Sequence, residues 1–109
     1  MVVKREGGFF SDFTEKLNVF LGKVEKPLSN ITQNFKRVHI HVELPKVTDK
    51  EITVIINNEM VLIKATRGKQ NTPEYTIFYR KIPLPAGLDI RKTHKRFSRG
   101  VLTLDIPYA

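Results

Sequence analysis

The 109-residue chain contains no cysteine, so disulfides and thiolate metal sites are excluded and a secreted, stapled fold gains no support. No stretch of about 18 apolar residues occurs, so no membrane-spanning helix is expected. The opening Met1-Val2-Val3-Lys4-Arg5-Glu6-Gly7-Gly8 lacks the continuous apolar core of a signal peptide, and a cytoplasmic location is expected. Gly7-Gly8 has neither a preceding strand nor a following Lys-Ser/Thr pair, so it does not form a phosphate-cradling loop. The three histidines have no acid or nucleophile at useful spacing. These absences argue against an enzyme. No catalytic residue, metal or cofactor is assigned.

Acidic side chains are scarce in one region. The chain carries 19 basic and 11 acidic residues, net +8. Residues 1–34 and 35–66 each hold five basic and four acidic side chains, whereas residues 67–99 hold nine against two. Any electrostatic partner should therefore meet that third region. Arg91, Lys92, Lys95, Arg96 and Arg99 are the candidate anion-binding set, with Arg67 and Lys69 nearby and Phe97 available to stack on a base. No nucleic-acid motif accompanies them. A charge run is more often a solvated face, and it also protects an exposed sheet edge. Nucleic-acid or acidic-surface binding is thus an alternative function and not the favoured one.

Residues 9–26 read as an amphipathic helix: Phe9, Phe13, Leu17, Phe20, Leu21 and Val24 recur at helical spacing. Ser11 suits the N-cap, Asp12 and Glu15 the first turn, and Pro27 the stop. Four of the seven phenylalanines lie in the first twenty residues. The helix either packs on its own sheet or serves as an aromatic arm for partners and non-native chains. Its polar face is not strongly basic, which argues against a membrane surface. Residues 27–36, polar and turn-rich, read as a linker.

Alternation then takes over. In Arg37–Leu44 the apolar Val38, Ile40, Val42 and Leu44 share one face, with Arg37, His39, His41 and Glu43 on the other, and Pro45 ends the run. His39 and His41 are read as solvent-facing strand residues in preference to metal ligands. A turn at Thr48–Glu51 leads to a strand over Ile52–Ile56, and Asn57-Asn58 signals a tight turn. Met60–Thr66 follows, with Met60-Val61-Leu62-Ile63 apolar on both faces, which implies cover on both sides. In Thr76–Leu84, Phe78, Arg80, Ile82 and Leu84 share a face. Arg80 must therefore be paired or lie at an interface, because an unpaired buried charge is very costly. Pro83 and Pro85 suit an edge position. Residues 91–97 read as a short strand or loop. Gly100 opens the last strand, in which Leu102, Leu104 and Ile106 alternate with Val101, Thr103 and Asp105 before Pro107. Five or six short strands at this spacing describe a small all-β sandwich.

Three blocks in order resemble the α-crystallin domain of small heat-shock proteins, over about residues 37–107. They are Leu44-Pro45 with Val47 and Ile52, then Phe78, Arg80, Ile82 and Leu84-Pro85 with Asp89, and finally Gly100-Val101-Leu102 with Leu104 and Ile106-Pro107. The resemblance implies an immunoglobulin-like β-sandwich over residues 35–109, preceded by an aromatic-rich helical arm and linker over residues 1–34. It implies an ATP-independent holdase that binds non-native client proteins. Phe9, Phe10, Phe13, Leu17, Phe20 and Leu21 would then contact clients, and Arg80, Tyr75 and Phe78 a second subunit. A co-chaperone-type sandwich that docks on a partner protein is a further alternative.

The chain also departs from the family pattern. Lys46 replaces a glycine, Arg99 an asparagine, Thr93 an aliphatic residue and Lys95 an alanine. Only residues 68–77 separate Arg67 from Phe78, where many relatives hold a longer loop with an exchanged strand, so the chain is expected either to lack that strand or to keep a stub near Tyr75. No isoleucine-x-isoleucine tail follows Pro107. The expected assembly is a homodimer or small homo-oligomer, held through strand edges, Arg80 and the helix.

Overall fold

The computed structural model describes residues 1–5 and 22–109. Nine strands are present among them: β1 (Val2–Arg5), β2 (Lys23–Glu25), β3 (Ser29–Gln33), β4 (Arg37–Glu43), β5 (Ile52–Ile56), β6 (Met60–Arg67), β7 (Thr76–Pro83), β8 (His94–Ser98) and β9 (Val101–Pro107). They form a five-stranded sheet, β1-β5-β6-β7-β2, and a four-stranded sheet, β3-β4-β9-β8. The expected β-sandwich is the observed architecture.

The core follows from the alternation. In the four-stranded sheet Val38 lies opposite Ile106, Ile40 opposite Leu104 and Val42 opposite Leu102, and all six are fully buried. The facing sheet contributes Val54 opposite Ile63 and Ile56 opposite Val61. Burying such side chains contributes roughly 1.5–3 kcal/mol each relative to exposure. Local chemistry sets the turns. Asn57 Oδ1 accepts from the Glu59 and Met60 backbone N–H groups at 2.8 and 2.9 Å, which closes the β5–β6 hairpin as its Asn-Asn pair predicts. Arg99 and Gly100 have φ of 52° and 78° between the paired Ser98 and Val101, the left-handed pair that a two-residue hairpin turn demands.

The five-stranded sheet is also apolar on its outer face. Ile55 lies opposite Leu62, and Leu62 is 0% exposed and Ile55 8%. The two-sided cover inferred for Met60–Ile63 is therefore present at Leu62.

Several expectations need correction. The helix expected over 9–26 lies outside the described residues as far as Leu21, and Lys23–Glu25 are strand, not helix. This stretch pairs in parallel with Thr76–Phe78, so backbone pairing to β7 overrides the local helical period. The linker expected over 27–36 contains β3, which pairs antiparallel with β4. β7 is an open edge only beyond Phe78, because β2 occupies its first three residues.

Candidate subunit and client interface

One side of the sandwich is open. Leu28, Glu43 and Val101 from one layer and Glu25 and Phe78 from the other line a single cleft of about 400 Å³. β3 and the β2–β7 edge therefore lie on the same side of the molecule. Four of the five large hydrophobic side chains that are exposed among the described residues fall in this stretch: Val24, Leu28, Ile31 and Phe35. Phe35 sits in the β3–β4 turn, which Asn34 Oδ1 closes by accepting from the Lys36 and Arg37 backbone N–H groups. Apolar exposure concentrated in one stretch of chain is a candidate interaction surface.

Arg80 belongs to this side. It lies opposite Ile63 on β6, so its side chain leaves the inner face of the sheet in line with Phe78 and Ile82. Its Nε is buried and has no hydrogen-bond partner, and no ion pair involves it among the described residues. Arg80 is thus a half-buried arginine without a counter-charge among the described residues. Tyr75 is half-buried, and its carbonyl accepts from the Lys23 backbone N–H at 3.0 Å, which helps seat β2. Phe78 is only 2% exposed, with the Arg67 guanidinium 5.0 Å from its ring centroid. It supports this side from within the core. Phe9, Phe10, Phe13, Leu17, Phe20 and Leu21 lie outside the described residues.

The signature positions act mainly as framework. Leu44, Leu102, Leu104 and Ile106 are fully buried. Leu84, Pro85, Val101 and Pro107 are half-buried, and Pro45 is exposed. The Leu44 backbone N–H donates to the Gly100 carbonyl at 2.7 Å. A Cβ on Gly100 would sit 3.7 Å from the Leu44 carbonyl oxygen and from Pro45 Cα, so at this position it is the backbone angle that favours glycine.

Four of the five candidate basic residues lie at or beside the opposite edge of the four-stranded sheet, whereas Arg99 lines the cleft with Leu28 and Phe78. Lys95 and Arg96 lie on edge strand β8, Arg91 and Lys92 precede it and Arg99 follows it, all exposed. Arg91 is not free: its Nε is 3.3 Å from Asp89 Oδ1. That contact and the Arg91 backbone N–H hold the Asp89 carboxyl below its ordinary value. On the outer face of the same sheet, Asp105 receives Arg37 Nη1 at 2.9 Å and has His39 Nδ1 at 3.5 Å. His41 Nδ1 is 3.3 Å from Thr103 Oγ1. The histidines thus have sheet neighbours, and among the described residues no group of three His, Cys, Asp or Glu side chains is placed to hold a metal ion.

Sequence reasoning missed β3 and also β1, so a strand does precede Gly7-Gly8, although no Lys-Ser/Thr pair follows it. Met1 and Val3 pack against the core while β1 runs parallel to β5. The paired valines of Met1-Val2-Val3 were the only available signal.

Known proteins share this framework. Residues 30–109 match the family model described as the Hsp20/alpha crystallin family. Small heat shock protein C4 of Rickettsia felis is 30% identical over 95 residues, which cover 78% of this chain and 58% of that protein. Small heat shock protein C2 of the same organism is 27% identical, covering 90% of this chain and 73% of that protein. Heat shock protein 16.0 of Schizosaccharomyces pombe superposes with a TM-score of 0.67 at 25% identity, covering 78% of this chain and 88% of that structure. A small heat-shock protein of Xylella fastidiosa has the same fold, with a TM-score of 0.67 at 22% identity, over 77% of this chain and 86% of that structure. Because that family model spans residues 30–109, well over half of the sequence, the chain belongs to the Hsp20/alpha crystallin family.

Proposed function

We propose that this chain is an ATP-independent holdase that binds apolar surface on unfolding proteins and delays their aggregation. Family membership supports a chaperone role. The observation that carries the finer reading is the exposure of Val24, Leu28 and Phe35 on the side of the open cleft. A rigid sandwich that displays adaptable apolar side chains at one edge suits a partner with no fixed shape. In this reading Phe9, Phe10, Phe13, Leu17, Phe20 and Leu21 extend the client surface. Arg80, with Tyr75 nearby and Phe78 behind it, meets a second copy in a homodimer or small oligomer in the cytoplasm.

The test is light scattering from a heat-denaturing model client without ATP, using the full chain and a variant with Phe9, Phe10, Phe13 and Phe20 changed to Ser. Substitution is preferable to deleting residues 1–34, because that deletion would remove three strands of the two sheets. The full chain should suppress scattering at near-stoichiometric ratios and the variant should suppress it less. No suppression by either would end the holdase reading.

One observation favours a second reading. Lys92, Lys95 and Arg96 are exposed at and beside the β8 edge, where they could follow a phosphate backbone. Gel shifts with single- and double-stranded nucleic acid across a salt series test it, and no shift at low salt removes it.

A further inference from the structure

We propose that the free edge of β3 pairs with the β3 edge of a second copy, antiparallel and centred on Ile31, to form one continuous eight-stranded sheet. This rests on the self-association proposed above and adds the β3 edge to the contact assigned to Arg80.

The two edges of the four-stranded sheet are built differently. β8 presents His94, Lys95 and Arg96, and charges of this kind discourage edge-to-edge pairing. β3 reads Ser-Asn-Ile-Thr-Gln, with no charge and no proline. Four of its five residues are exposed, and nothing among the described residues pairs with its outer side.

The hydrogen-bond phase of β3 specifies a register. The Glu43 N–H donates to the Leu28 carbonyl and the Asn34 N–H to the Arg37 carbonyl. Bonded pairs alternate along an antiparallel ladder, so Asn30 and Thr32 also turn their backbone groups toward β4. Ser29, Ile31 and Gln33 turn theirs outward. A two-fold axis at Ile31 places Ile31 against its copy and Ser29 against Gln33 of the other chain. Every outward N–H and C=O between Ser29 and Gln33 then has a partner, and no charged residue within β3 faces a like charge.

The side chains fit the same register. Ile31 lies opposite Ile40, a core residue at 0% exposure, yet Ile31 itself is 45% exposed. Its copy would complete that row of the core. Ser29 Oγ is buried without a hydrogen-bond partner. Gln33 Oε1 accepts from Tyr108 Oη at 3.3 Å, and its side-chain N–H groups have no acceptor among the described residues. In the proposed register the Gln33 side chain of one copy lies beside Ser29 of the other on the same face. Its amide can then donate to the orphaned hydroxyl.

The absence of native cysteine makes the test clean. In a bonded antiparallel pair the Cα atoms sit about 5.5 Å apart, within the span of a disulfide. Ile31→Cys should form a covalent dimer on mild oxidation, and Arg96→Cys on the other edge should not. Ile31→Pro removes an outward N–H without touching a β4 bond, so it should keep the circular dichroism of the native sheet while the mass by light scattering falls at least two-fold. The pairing is overturned by a wild-type chain that is monomeric, by Ile31→Cys that does not cross-link, or by Ile31→Pro that keeps the native mass. Client protection measured in the same preparations separates the two claims. Protection without cross-linking removes the pairing and leaves the holdase reading, whereas cross-linking without protection does the reverse.

Discussion

Arg80 faces Ile63 across the β6–β7 ladder, so a guanidinium occupies a row otherwise filled by core side chains. The residue is half-buried, its buried Nε is unpartnered, and no carboxylate pairs with it among the described residues. Replacing a buried ion by an apolar residue of similar length is often neutral or stabilising. Arg80→Met should therefore leave the melting temperature unchanged or higher while weakening self-association, read as a lower mass on dilution. A large fall in melting temperature with unchanged mass would show that Arg80 serves only its own domain.

Arg99 occupies a position where a side chain other than asparagine or glycine is strained. At φ 52° a left-handed backbone costs a typical L-residue about 1–2 kcal/mol, and asparagine tolerates it better. Arg99→Asn should stabilise the chain by about 0.5–1 kcal/mol, a rise of about 2–6 °C for a domain of this size. Differential scanning calorimetry reads it directly.

Leu62 tests whether the outer face of the five-stranded sheet is structural. It is fully buried yet lies outside the inter-sheet core. Leu62→Ala should cost about 2–5 kcal/mol, as for a core leucine, measured by urea denaturation. A solvent-facing leucine would show under about 0.5 kcal/mol.

Asp89 links stability to pH. Its hydrogen bond from Arg91 comes first among the causes that lower its carboxyl below the ordinary 3.8. A group whose folded value is depressed stabilises the fold above the unfolded value, and that stability is lost as pH falls through the folded one. The advantage of wild type over Asp89→Asn should be full at pH 7 and vanish on acidification below the ordinary value. A melting-temperature difference that stays constant across that range would contradict the assignment.

These positions differ in how well the sequence announces them. The strands around Val38–Leu44, Ile52–Ile56 and Leu102–Ile106 were legible because strict alternation met proline, asparagine or glycine punctuation at their ends. Arg80 was legible as an anomaly within such an alternation. β2 was not, because Lys23-Val24-Glu25 continues a helical period and becomes strand only through parallel pairing with β7. β3 was hidden for a different reason: Ser29–Gln33 has one apolar residue, so its register comes from the Asn34 turn and from β4. The open side of the sandwich depends on those long-range pairings, which no local pattern encodes.

The most direct test of chaperone function is recovery of a complex. A thermolabile client heated with the full chain in the absence of nucleotide, then cooled and resolved by size exclusion, should remain soluble and co-elute with the chain. A client that precipitates as it does alone, with the chain eluting unchanged, would contradict the holdase reading.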